Sequence, residues 1–376
     1  MNNNYFRRNE KNMTTTKLSG ITFEENTTTI PTVNENIIDA PLIIIQSTQA
    51  ISGMDGEYTE FTNYSEFYNK VKDANITRTI KFVRNMINES GVGKFYVYSL
   101  KTDTTDGFKE AIKGSTHLYD CETIIYIEEQ KSKTENTIKN KMTAISQAVR
   151  EIYTDGVFRE AYVVPAGTVA GAVAEEGAVA GAASTAALQD ITSGTKDGLV
   201  CAIMPDTLGG QIMGGILNTS YDKEIGQYVI SYPNLENVYE LNGEQMLALQ
   251  NAGVIFVRPQ SYRGATQYKI NFGVTTSYQD NKSDGSLVKR RIVNQFLREV
   301  KEEAQDIVLQ KETSAVLSEL NSILGAIVNK FVANDCVTRE GTKLSVADAG
   351  NGVFTVTGII TPIGSVEHIN VSLTIQ

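Results

Sequence analysis

Two histidines, His117 and His368, are the only imidazoles in the chain. Imidazole is the usual base for a serine or cysteine nucleophile, and neither histidine stands near a Gly-x-Ser-x-Gly elbow. No histidine occurs between residues 118 and 367, so Ser193 in Thr192-Ser193-Gly194 has no base beside it in sequence. Gly91-Val92-Gly93-Lys94 approaches a phosphate loop. However, Phe95 follows the lysine where Ser or Thr is needed, and Asn88 holds the place of the first glycine, so a turn before a strand is expected. Gly209-Gly210 and Gly214-Gly215 do not form Gly-x-Gly-x-x-Gly, and no acidic residue follows at dinucleotide spacing; close helix packing is the expected reason for them. Glu302, Glu303 and Asp306 share the polar face of a helix and are expected to be a solvated acidic face rather than a cation site. Cys121, Cys201 and Cys336 are odd in number and far apart, without Cys-x-x-Cys, which suits a reducing compartment and no structural zinc. The expectation is no catalytic residue, no cofactor and no metal.

The chain that must position these residues has 376 of them, room for two or three domains at about 150 residues each. Acidic side chains number 44 against 34 basic, a net charge of −10, which lacks the basic footprint of a nucleic-acid binder. Hydrophobic residues at 41% and charged residues at 21% are ordinary globular usage and argue against wholesale disorder. The first twenty residues hold no apolar run before a small-residue cleavage site, so no secretory signal is expected. The apolar stretch Ile37–Ile45 is broken by Asp39 and Pro41, and residues 163–188 carry Glu175 and Glu176, so no membrane insertion is expected.

Periodicity divides the chain. Residues 1–16 are polar with Arg7, Arg8 and Lys11, and read as a flexible arm. Residues 18–33 favour an extended strand, with Ile21 and Phe23 on one face and no hairpin partner nearby. Continuous apolar runs at 42–46, 94–100, 123–127, 160–164 and 199–204 read as buried strands. Between them, Phe67, Val71, Ile80, Val83 and Ile87, then residues 108–113, 138–153 and 209–217, follow helical spacing. This alternation is that of an α/β layer. Residues 166–187 (AGTVAGAVAEEGAVAGAASTAA) are small-residue, low-complexity text, expected to be a packed helix or a surface loop. After strands near 254–258 and 267–275 come two amphipathic helices. Ile292, Phe296, Val300, Ala304 and Ile307 mark the first, and Val316, Leu320, Ile323, Ile327 and Phe331 the second, a helical hairpin. Strands at 343–346, 353–360 and 367–375 close the chain, the last with Ile369, Val371, Leu373 and Ile375 alternating with polar residues.

The order of motifs carries a family resemblance. Lys289-Arg290-Arg291-Ile292-Val293-Asn294 opens a long helix, and a second helix contains Ile323-Leu324-Gly325-Ala326-Ile327. Terminal strands are then interrupted by Thr361-Pro362-Ile363-Gly364-Ser365-Val366-Glu367-His368-Ile369. With PDTLGGQIMGGIL at 205–217, Ser231-Tyr232-Pro233-Asn234 and LALQNAGVI at 247–255, this succession resembles contractile phage tail sheath proteins over residues 199–376, and more loosely over 36–100. Tyr232 stands where the family has a small residue, and the 166–187 segment has no counterpart there.

The resemblance implies a mixed α+β fold of the α/β class. Residues 1–35 would be an extended N-terminal arm, 36–265 an outer α/β domain of subtilisin-like, non-catalytic topology, 266–364 an inner tube-proximal domain, and 365–376 an exchanged C-terminal strand. It implies a sheath subunit that forms stacked helical rings around an inner tail tube protein, with baseplate and tail terminator proteins as further partners. Its location would be a virion tail or tail-like particle assembled in the bacterial host cytoplasm. Another self-assembling shell or surface lattice, and less readily a hydrolase, are the alternatives. Ile21, Phe23, Ile369, Val371, Leu373 and Ile375 are the expected inter-subunit strand residues, and Gly358 and Gly364 the expected hinges. Lys311, Glu312 and Glu319 are the expected tube-facing residues, within a hairpin whose charges include Lys289, Arg290, Arg291, Arg298 and Lys301.

Overall fold

In a computed structural model of the protein, the described residues are 39–46, 51–100, 105–129, 135–166, 197–203, 208–231, 241–278, 285–305, 307, 314–350 and 353–364, with the backbone of 13–18 and 21–26. The apolar runs become strands β3 (Leu42–Ile45), β5 (Phe95–Ser99), β6 (Thr123–Ile127), β7 (Glu160–Val164) and β8 (Val200–Ile203), all fully buried. With β4 (Tyr58–Phe61) and β9 (Val254–Ile255) they form one seven-stranded sheet in the order β4-β5-β3-β6-β7-β8-β9. Every pairing in it is parallel except β4 with β5.

Both faces of the sheet are covered, which is why its strands read as unbroken apolar runs. Ile43, Ile45, Ile125, Ile127, Tyr162 and Val164 face a core shared with α1 (Tyr64–Val71), α2 (Thr77–Ser90) and α5 (Gly209–Asn218). Leu42, Ile44, Ile124, Tyr126, Ala161 and Val163 face the opposite core, with α3 (Thr105–Gly114), α4 (Glu135–Thr154) and α6 (Gly243–Asn251). Each such Leu or Ile contributes about 1.5–3 kcal/mol by leaving water.

The glycine pair motif acts by close packing. A Cβ on Gly210 would lie 2.8 Å from Asn85 Cβ and meet the Phe82 carbonyl, and one on Gly214 would lie 2.8 Å from the Met86 carbonyl oxygen, so α5 rests directly on the α2 backbone. Gly91, at φ 69, ends α2 by donating its N–H to Ile87 O. The residues resembling a phosphate loop are thus a left-handed helix cap and the lead into β5, with Lys94 paired to Glu60 (3.1 Å) and Asp120 (2.9 Å). The start of α2 has no cap of its own. Glu129, just beyond β6, fills that role by accepting from the N–H groups of Arg78 and Thr79 at 2.8 and 3.0 Å.

One expectation is corrected. The N-terminal extended segment does have a hairpin partner: β1 (Met13–Leu18) pairs antiparallel with β2 (Ile21–Asn26), Leu18 opposite Ile21. In the sequence, the two-residue spacer Ser19-Gly20 is of hairpin-turn type. The helical spacing from Phe67 to Ile87 is divided between α1 and α2, separated at Asn75 with φ 53.

Beyond the sheet, β10 (Val257–Tyr262) and β11 (Ala265–Ile270) form an antiparallel ribbon. Ile270, Val274, Tyr278 and Leu287 still belong to the first sheet core. The predicted hairpin is α7 (Leu287–Gln305) and α8 (Ser314–Ala333). Val288, Ile292 and Phe296 of α7 meet Ile327 and Phe331 of α8 together with Cys336 and Val337. The stretch Ala315–Ala333, mean hydropathy 1.3, is long and apolar enough to cross a membrane. Here its Val316, Leu320, Leu324, Ile327 and Phe331 are buried within the protein. The ribbon β12 (Lys343–Gly350) with β13 (Val353–Ile359) packs Val346 and Phe354 beside Ile307, Val316 and Leu320.

Candidate assembly site

Among the described residues the expected chemistry-bearing side chains are not gathered into one site. His117 is exposed and its Nδ1 lies 2.7 Å from Gly114 O, which fixes a local turn. All three cysteines are free and buried, and burial pushes Cys121 up to about 12 and raises Cys201 and Cys336, so none is a ready thiolate. Among the described residues no group of three or more His, Cys, Asp or Glu could hold a metal. Glu302 and Glu303 are exposed on α7, a solvated face; Asp306, Ser193 and His368 lie outside the described residues.

What the fold does build, besides the β1–β2 hairpin, is a joint and two ribbons. The joint is where α7 crosses the strand beginnings of the sheet. Arg291, Asn294, Arg298 and Lys301 fall at three- and four-residue steps and so share one face of α7. Arg298 contacts Glu122 at 2.6 Å and donates to Phe158 O at 3.3 Å. Arg291 donates to Thr219 O at 2.8 Å and lies 3.8 Å from Glu160, and Lys301 donates to Gly156 O at 2.9 Å. Asp39 sits in the same cluster, accepting from the Glu122 and Thr123 N–H groups at 2.9 and 3.3 Å and from the Thr123 hydroxyl at 2.5 Å.

Three carboxylates thus face two arginines, with Glu160 buried and Asp39 and Glu122 half-buried. Burial raises Asp39 and Glu160 and pushes Glu122 up to about 7, with the arginines pulling the other way. Asn294 is fully buried and both polar atoms of its side chain lack a hydrogen-bond partner among the described residues, as does Glu160 Oε2. Arg291, Arg298 and Lys301 of the charged hairpin are thus engaged with the α/β body. Sequence reasoning missed the cluster because its members are spread from residue 39 to residue 301.

The ribbons carry the exposed surface. On β13, residues 355–359 are exposed, Ile359 at 66%. Among the described residues β12 and β13 pair only with each other, so both outer edges of this ribbon are open. Of the expected site residues, Glu319 is exposed on α8, and Ile21 and Phe23 lie in β2 opposite Leu18 and Thr16. Gly358 lies inside β13 opposite Leu344, where a Cβ would come within 2.8 Å of Leu344 Cα. Gly364 lies against the Lys289 side chain, at a small recess shared with Glu224 and Tyr278. Lys311, Glu312, Ile369, Val371, Leu373 and Ile375 lie outside the described residues.

No family sequence model matches the chain, and no curated protein matches it in sequence. Solved structures match it along most of its length. The helical sheath of the anti-feeding prophage in its contracted state superposes with a TM-score of 0.61 at 12% identity, covering 96% of this chain and 99% of that one. The contracted sheath of the extracellular contractile injection system PVC gives 0.63 at 12% identity, covering 96% and 98%. A sheath tail protein from Listeria innocua gives 0.60 at 10% identity, covering 87% and 93%. The chain therefore has the α/β fold of contractile sheath subunits, as its resemblance to tail sheath proteins implied.

Proposed function

We propose that this protein is the structural subunit of a contractile sheath, polymerising as stacked helical rings around an inner tube and shortening to drive that tube through a target envelope. The observation that carries the reading is the match of nearly the whole chain, with no large piece left over, to sheath subunits solved in their contracted assemblies. It works as scaffold rather than catalyst, within a virion tail or tail-like particle assembled in the host cytoplasm. Its partners are its own copies, an inner tube protein, a baseplate and a tail terminator.

In this reading the open-edged ribbon β12–β13 receives strands from neighbours, because unpaired ladder groups are a template for another chain. The donors are the N-terminal segment with Ile21 and Phe23 and the C-terminal segment with Ile369, Val371, Leu373 and Ile375. The outer α/β domain (36–265) rides on the inner domain (266–364), with Glu319, Lys311 and Glu312 toward the tube. Gly358 and Gly364 absorb the backbone change as subunits slide, and the work comes from a metastable assembly with two packings.

Electron microscopy of the purified full-length protein tests the reading: striated sleeves are expected, and discrete particles alone would overturn it. Deletion of residues 366–376 is expected to leave a folded monomer that forms no sleeves, and sleeves of normal length would refute strand exchange.

A further inference from the structure

The β10–β11 ribbon carries a charge arrangement that its own stability disfavours. Residues 258–269 include three cations, Arg258, Arg263 and Lys269, and no carboxylate, in a chain of net charge −10. The register sets Arg258 directly opposite Lys269. Like charges facing each other across antiparallel strands repel. Arg258 Nε is buried and has no hydrogen-bond partner among the described residues. The same face continues outward with Gln260 opposite Gln267 and Tyr262 opposite Ala265. From Pro259 to Thr266 every residue is exposed, and the Tyr262 ring has the Arg263 guanidinium 5.1 Å from its centroid.

The ribbon is also stiff. Its turn places Arg263 at φ 50 and Gly264 at φ 83, the two consecutive left-handed residues that match the twist of a two-residue hairpin. Its root is fixed by buried Val257 and Ile270, and by Ile230 N–H donating to Tyr268 O at 2.9 Å. Pro259 removes a ladder donor from β10, so a partner would meet side chains rather than extend the sheet.

We propose that this ribbon is an interaction arm whose Arg258–Lys269 face seats on a carboxylate-bearing surface of a second copy of this chain. The proposal rests on the sheath reading, which brings copies together at high effective concentration. The excess of 44 acidic over 34 basic residues supplies the complementary charge on the neighbour and repels a free polyanion from the molecule as a whole.

The experiment follows polymerisation and monomer melting of the full-length protein together. Arg258→Glu replaces a repelling pair by an attracting one. It is expected to leave the melting temperature unchanged or raised while the critical concentration for polymerisation rises about three- to tenfold, the span of one to two exposed ion pairs. A merely structural ribbon would not separate the two readouts. Lys269→Glu is the second variant should Arg258→Glu fail to fold. A photo-reactive side chain placed at Tyr262 is expected to cross-link between chains at an acidic surface. If the wild-type protein polymerises and both variants do so at its critical concentration, or the cross-link stays within one chain, the arm is refuted. If the wild-type protein never polymerises, the sheath reading falls first.

Discussion

The joint under α7 and the ribbon β12–β13 are held by opposite means. At the joint, two arginines, three carboxylates and a buried asparagine meet between α7 and the sheet, and Arg298 alone reaches Glu122 and Phe158 O. The ribbon has one apolar face against the helices and a mostly exposed second strand. Rigid placement of the hairpin comes from within the subunit, whereas both outer edges of the ribbon are unpaired among the described residues. The joint is also polar where the sheet cores are dry, and a polar joint gives less per area buried than an apolar one.

The largest effect is expected outside both regions, and it sets the scale. Gly210→Val would press a branched side chain into the α2 backbone at Phe82 and Met86. It should destabilise by about 3 kcal/mol or more, read as a loss of soluble protein or a lower urea midpoint.

At the joint the effect is smaller and depends on pH. Because burial raises Glu122 to about 7 from 4.5, its contribution to stability is complete below about 4.5 and is lost as pH rises through about 7. Glu122→Gln should therefore stabilise the protein at pH 8 by about 1 kcal/mol, a value discounted for the third of the side chain left in water, and the gain should vanish near pH 5. Melting curves across that range measure it. A gain that persisted at pH 5 would place the strain elsewhere than in the carboxylate charge.

On the ribbon the monomer should barely respond. Ile359→Lys, at a 66% exposed position, is expected to shift stability by less than about 0.5 kcal/mol while impairing assembly. A large loss of monomer stability would erase the contrast between the two regions.

Much of the body was legible in the sequence because its signals are local. LIII at 42–45 and TIIYI at 123–127 could hardly be anything but doubly covered strands, and the 287–305 and 314–333 helices announce their apolar faces at three- and four-residue steps. Strand β4 escaped notice because YTEF, half-exposed at an edge with Glu60 outward, looks like the loop around it. The joint could not be read at all: nothing in the spacing of Asp39, Glu122, Glu160, Arg291 and Arg298 hints that a fold gathers them.

The position of β3 also has a consequence for how the chain is made. This strand comes first of the seven in sequence yet lies in the interior of the sheet, with β5 on one side and β6 on the other. Its four apolar residues are synthesised by residue 45, but its second neighbour is complete only at residue 127. At roughly 5–20 residues per second, the nascent chain carries an unsheltered aliphatic strand for roughly 4–16 seconds. Slow, non-local pairing of this kind exposes a chain to aggregation before it folds. The yield of soluble subunit should therefore depend on synthesis rate and temperature more steeply than the stability of the finished fold would suggest.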